Sequence, residues 1–431
     1  MSAYFATQAL INFAARVSYL ANGLRVVAHR EPKTPIAAVY VAYHAGSRDE
    51  LPGKHGLAHL VEHLMFCGSE HSRQNYFLPL EEIGAASVNA NATDDYTAYF
   101  QAVPIAALDY ALWMEAERMS CMSAALDQST LDRQRAVVCN ELRQRAAEPY
   151  GGIASLIREQ AYAPEHPYAH HPYGEIEALE QITLYDVRRW CDEFHRPANA
   201  TIVIAGDINS EQAIDRVSYY FESIPMAPWS TPQRADAAAG PSAHAPVEYH
   251  QPNISGRIYR VWNAPRYGAD QHAALELACE LLAGGEASRL FTAMVLERQI
   301  ASEVAIDLQA RELGSQIVLH VTAAPGIGTE TVRSALDDAV KRFSAQIPTK
   351  DELEAACVRV TARFVRDTER LCGPRSRSDA MAVAVLAADD PNSAGARVES
   401  MRSITPSELA ETVAQVFDRP ALTIEAGPQT V

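Results

Sequence analysis

A proline-rich, weakly periodic stretch at residues 225–252, with six prolines, divides the chain into two runs of comparable length and similar element order. The first run reads as strands at 23–28 and 36–43 and a helical pattern at 57–65. Helices follow at 105–119, 130–147 and 176–194, then a buried strand at 200–205. After the stretch the order restarts, with a strand at 257–262, a helix at 271–282, a Gly-Gly turn, another helix, and strands at 301–309 and 315–323. A chain of 431 residues exceeds one ordinary core. The expectation is an α+β protein of two duplicated α/β halves, each a mostly antiparallel sheet packed with helices. Their expected limits are 1–225 and 253–431, with 226–252 as linker.

Composition narrows the function. Apolar residues make up 48% and charged residues 21%, as in soluble globular proteins. A formal charge of −17 excludes a nucleic-acid footprint, which needs a basic surface, and disfavours anionic lipid. The seven cysteines form no CxxC pair, which excludes a cysteine-rich zinc module. No apolar run approaches a membrane span, so no membrane insertion is expected. No basic residue precedes the apolar start, and no signal peptide is legible.

The chemistry concentrates in His59-Leu60-Val61-Glu62-His63. On a helix, positions i and i+4 lie one above the other, so His59 and His63 present two imidazoles to one point. Leu57, Leu60, Val61, Leu64 and Met65 form the apolar stripe, and the trio is expected on the other side. Two neutral imidazoles and a carboxylate suit zinc and leave one position open. HxxEH keeps two histidine ligands and a glutamate base on one face, as the reverse of HExxH does. Against this, a chain with 14 histidines produces such a short motif by chance at roughly the few-per-cent level. A third, acidic ligand should come from another element. Glu141, on the helical segment 131–142, is the candidate, although alone it reads as a solvated helix glutamate.

The chain resembles the pitrilysin family of inverted-zincin metallopeptidases, in its processing-peptidase-like branch. The resemblance runs through Asn22-Gly23-Leu24-Arg25-Val26, Gly46-Ser47-Arg48, and Gly56 to Phe66 around the motif. It continues in Asn89-Ala90, Asp95-Tyr96-Thr97-Ala98-Tyr99, Arg196-Pro197-Ala198-Asn199-Ala200, Gly206-Asp207 and Ser288-Arg289-Leu290-Phe291. It implies one Zn2+ per chain held by His59, His63 and Glu141, with Glu62 as general base. It also implies that two homologous halves form one side of a clamshell. An edge strand near 87–99, bearing Asn89 and Ala90, would bind substrate main chain and read its sequence loosely.

Three positions depart from the family pattern. Gln134 stands two turns upstream of Glu141 where a glutamate is usual, and it can donate a hydrogen bond but supply no charge. Ala92 replaces a threonine. Val295 and Ser302 occupy the places of an arginine and a tyrosine that stabilise the oxyanion. The resemblance therefore implies a zinc metalloendopeptidase subunit completed by a homologous partner that lacks HxxEH and supplies the Arg/Tyr pair. A self-sufficient homodimeric peptidase and a non-catalytic scaffold of a larger assembly are the alternatives. Expected substrates are peptides or unfolded segments, with basic ones favoured. A bacterial periplasmic location follows only by family analogy, with the cytoplasm as the alternative.

Overall fold

The computed structural model describes residues 12–72, 75–226 and 245–428. Eleven strands form two sheets among them. In the first sheet are β1 (Arg16–Tyr19), β2 (Arg25–Arg30), β3 (Ile36–Tyr43), β4 (Ala86–Ala92), β5 (Thr97–Pro104) and β6 (Ala200–Gly206), ordered β1-β2-β6-β3-β5-β4. In the second are β7 (Val247–His250), β8 (Arg257–Ala264), β9 (Ala301–Gln309), β10 (Ser315–Ala323) and β11 (Leu422–Gly427), ordered β7-β11-β8-β10-β9.

The two orders coincide once the outer β1 is removed. β2, β6, β3, β5 and β4 then correspond to β7, β11, β8, β10 and β9. Each sheet carries a single parallel pairing, at the same place: β2 with β6, and β7 with β11. All other pairings are antiparallel. The chain is thus built of two homologous α/β halves with mixed sheets.

β3 and β6 read as continuous apolar runs because both faces of the first sheet are covered. Alternate residues Ala37, Val39, Val41, Ile202 and Ile204 enter one core, shared with Leu57, Leu60, Val61 and Leu64. Ala38, Tyr40, Ala42, Val203 and Ala205 enter another, shared with Met381, Ala382, Ala384 and Val385 of the helix Arg377–Ala388. Tyr40 donates to the half-buried Asp379 carboxylate of that helix at 2.5 Å. Burial dominates at Asp379 and raises its pKa, with Tyr40 opposing.

The compact units are discontinuous, unlike the contiguous halves 1–225 and 253–431. One comprises the described parts of Met1–Leu142, His171–Gln233 and Phe364–Ala396; the other Arg143–His170, Arg234–Arg363 and Arg397–Val431. Apolar burial explains both exchanges. Ile153 and Ile157 pack with Tyr259, Val261 and Ile424, while the helix Arg377–Ala388 covers the first sheet. Of the expected linker 226–252, residues 227–244 lie outside the described residues, and Val247–His250 is strand β7. The single helix expected at 176–194 is two, Ile176–Glu180 and Leu184–Phe194. Thr183 starts the second with a reciprocal Asp186 capping box.

His195 follows this helix and is enclosed, its ring 4.4 Å from that of Tyr43. Burial, aided by the Arg118 charge, pushes its pKa down to about 3. In the second unit burial, with Arg397, pushes His272 down to about 4. Both are neutral in the folded chain, whereas the unfolded histidines take up protons as pH falls below the usual 6.5. Their contribution is therefore complete above that pH and lost toward pH 4 and below. Urea unfolding should show each histidine removing about 2 kcal/mol by about pH 5. His195→Gln should flatten that acid limb; an unchanged limb would contradict the assignment.

Candidate metal centre

The motif helix runs Leu57–Leu64. Its first amides are held by one carboxylate: Gly56 N donates to Glu50 Oε2 at 2.9 Å and Ala58 N to Glu50 Oε1 at 2.8 Å. This acidic cap suits the positive end of the helix. Upstream, Arg48 Nη1 donates to Asp95 Oδ1 at 2.5 Å, with both side chains buried. That pair joins the loop preceding the helix to the β4–β5 turn, and it accounts for two of the sequence landmarks. Gly46 is needed between them, since a Cβ there would lie 2.4 Å from Asp94 O.

The structure brings His59, His63 and Glu141 together. His59 Nε2 lies 3.8 Å and His63 Nε2 3.6 Å from Glu141 Oε2, and the three donor atoms sit within 4.8 Å of one another. Ligand atoms about 2 Å from one ion in tetrahedral geometry are spaced on this scale. The donor set and its convergence therefore fit zinc. Glu141 projects from the helix Gln128–Ala147 and reaches both motif histidines.

His59 is more buried than a polar helix face implies, at 3% exposure. Tyr173 covers it, ring to ring at 4.4 Å and 61°. Neither Tyr173 nor Glu50 stood out in the sequence, because each lies outside the motif and acts through the fold. Glu62 and His63 remain half-buried. Burial pushes the Glu62 carboxyl up to about 7; the Ala92 backbone opposes this and the Glu141 charge adds to it. Burial lowers the pKa of His63, opposed by Glu141, so its imidazole is held in the neutral form a metal ligand needs.

Beside these groups opens a cleft of about 450 Å³, reached by Glu62, His63, Gln134, Arg133 and Asn89, with Phe66 and Phe77 stacked at 4.6 Å. Gln134 Nε2 donates to Cys67 Sγ at 3.1 Å, so the amide that replaces the usual glutamate is engaged with a thiol. β4 is the outermost strand of its sheet, with Asn89 exposed and Ala90 half-buried. Val295 and Ser302 belong to the second unit. Val295 is half-buried against its core, and the Ser302 hydroxyl donates to Ala323 O at 3.3 Å.

An α/β duplication with a two-histidine, one-carboxylate cluster defines a class of metallopeptidase-like proteins. Residues 25–169 match the model of insulinase (peptidase family M16), and residues 181–358 match the peptidase M16 inactive domain. The chain belongs to peptidase family M16, the pitrilysin family. It is 27% identical over 359 residues to the zinc protease PqqE of Helicobacter pylori, covering 81% of this chain and 79% of that protein. It is 25% identical over 213 residues to the mitochondrial-processing peptidase subunit beta of Saccharomyces cerevisiae, covering 49% of this chain and 45% of that one. A crystal structure of a protease from Helicobacter pylori shares the fold, with a TM-score of 0.87 at 24% identity over 96% of this chain and 99% of that one.

Gly174 lets Tyr173 reach His59. Its φ is +71°, and a Cβ would lie 2.3 Å from His55 O and 2.5 Å from Gly56 Cα. Gly174→Ala should cost roughly 1–3 kcal/mol by thermal unfolding. It should also hasten metal loss to a chelator. Unchanged metal retention would separate Tyr173 packing from ligand geometry.

Proposed function

We propose that the chain is a zinc metallopeptidase subunit that hydrolyses peptides or unfolded polypeptide segments. The observation that carries this reading is the convergence of His59, His63 and Glu141 beside the Glu62 carboxylate. Zinc held by those three side chains would polarise the scissile carbonyl and lower the pKa of water toward ~7. Glu62 accepts the proton of the attacking water and passes it to the leaving amine. Its half-buried setting favours a basicity near neutrality, which suits a group that must both take and give a proton; a bound cation would lower it. Tyr173 holds the His59 ring in place, and Gln134, through Cys67, fixes the wall of the cleft.

The outer edge of β4 pairs with no strand among the described residues, so its amides and carbonyls can extend the sheet with a substrate strand. Asn89 and Ala90 lie on that edge. Recognition of main chain admits varied sequences and requires an extended, unfolded substrate. Val295 and Ser302 offer no equivalent of an Arg/Tyr pair, and an oxyanion donor is commonly worth 10²–10³ in rate. A homologous partner chain supplies it in this reading, as the pairing implied by a subunit-beta relative suggests. An exported, periplasmic location accords with the family resemblance; among the described residues no helix is long and apolar enough to cross a membrane.

Glu62→Gln should keep the metal and lose at least 10²-fold in turnover of an unfolded peptide, on the usual scale of general-base catalysis. His59→Ala and Glu141→Ala should lose metal as well, by elemental analysis. A Glu62→Gln chain with unaltered turnover would refute the base assignment. Full activity of the isolated chain would refute the need for a partner, and a metal-free native protein would favour the scaffold role.

A further inference from the structure

A second cluster of metal-type donors lies apart from the motif in the first unit. The helix Leu108–Ala125 places Glu117 and Cys121 one turn apart, on the same face. His71 reaches them from the loop after the motif helix, its Nδ1 lying 3.1 Å from each Glu117 carboxylate oxygen. One donor atom from each of His71, Glu117 and Cys121 lies within 4.8 Å of the others. None of the three belongs to the first centre.

The loop is shaped to deliver this histidine. Ser69 N donates to Ser72 O at 2.8 Å, and Ser72 N donates back to Ser69 Oγ at 3.2 Å. The same Ser69 hydroxyl donates to Glu117 Oε2 at 3.0 Å, so one group closes the loop and orients the carboxylate. Outer hydrogen bonds of this kind fix metal ligands in their binding rotamers. A plain surface pair of His71 and Glu117 would be worth about 0–1 kcal/mol. The Cys121 thiol, whose only other hydrogen-bond contact among the described residues is the neighbouring Ser120 Oγ at 3.2 Å, lies within reach of both. Glu117 is also well covered for a surface carboxylate, its side chain 14% exposed.

We propose that His71, Glu117 and Cys121 form a second divalent-metal site, separate from the catalytic centre. The nitrogen, oxygen and sulfur set selects zinc or a similarly borderline ion over calcium or magnesium, which prefer oxygen alone. On binding, the Cys121 Sγ–H bond breaks, its proton goes to solvent, and the sulfur lone pair is donated to the ion. Water fills the remaining position. The ion clamps the loop to the helix Leu108–Ala125. Occupancy therefore fixes that loop on the helix without entering the reaction.

Cobalt(II) substitution in the full-length protein tests this without an activity assay. The motif site has no sulfur ligand, so a thiolate-to-cobalt charge-transfer band reports the second site alone. The wild type should bind two cobalt ions per chain and show the band. Cys121→Ser and His71→Ala should each abolish the band and leave one ion, whereas His59→Ala should lose the other ion and keep the band. Cys67→Ser should keep it too. Absence of the band in the wild type, its survival in Cys121→Ser, or its loss in Cys67→Ser would overturn the proposal. Loss of zinc from the motif site alone would leave the band intact, which separates this test from that of the peptidase reading.

Discussion

Packing of the motif helix against the first sheet is the contact on which the centre depends. Leu57, Leu60, Val61 and Leu64 are all at or below 5% exposure. Each contributes about 1.5–3 kcal/mol by leaving water. Together they outweigh the cost of holding a nearly buried imidazole beside two half-buried titratable groups. The helix position is set by this apolar stripe, by the Glu50 cap at its first turn and by the Arg48–Asp95 pair that anchors its approach. Ligand geometry is inherited from that packing.

The duplication shows what the second half retained. Its counterpart of the motif helix, between β8 and β9, is His272–Ala283; its counterpart of the Glu141 helix, between β10 and β11, is Lys350–Glu369. There Glu280 is enclosed and accepts from Arg359 at 2.6 Å and Arg363 at 2.5 Å. The two helices are joined by a carboxylate–guanidinium cluster where the first half has two imidazoles and a carboxylate. Glu280 is the enclosed member and the arginines reach it from the more exposed side, so removing them would leave its carboxylate buried without a compensating charge.

Much of this was legible in the sequence. The two-fold order of elements, the i,i+4 histidines and the apolar stripe are local patterns, and local patterns survive in one dimension. Glu141 was not legible from its surroundings: its helix reads as solvated, and only resemblance to a family singled it out. The burial of His59 was not legible either, because periodicity assigns it to a polar face and says nothing of Tyr173 folding over it. The discontinuous units were hidden for a similar reason. The helix Arg377–Ala388 has an ordinary apolar pattern, and nothing along the chain states that it covers β3 and β6, more than three hundred residues upstream of its start in the case of β3. The split at 181–183 was readable in principle, since Thr183 and Asp186 form a capping-box pair inside the assumed helix.

The proposed function rests on one zinc ion held by His59, His63 and Glu141 beside Glu62. Anomalous scattering at the zinc edge from crystals of the native protein tests it most directly. A peak is expected among His59 Nε2, His63 Nε2 and the Glu141 carboxylate, at about 2.0–2.2 Å from each. A zinc-replete crystal with no peak among these three side chains would contradict it.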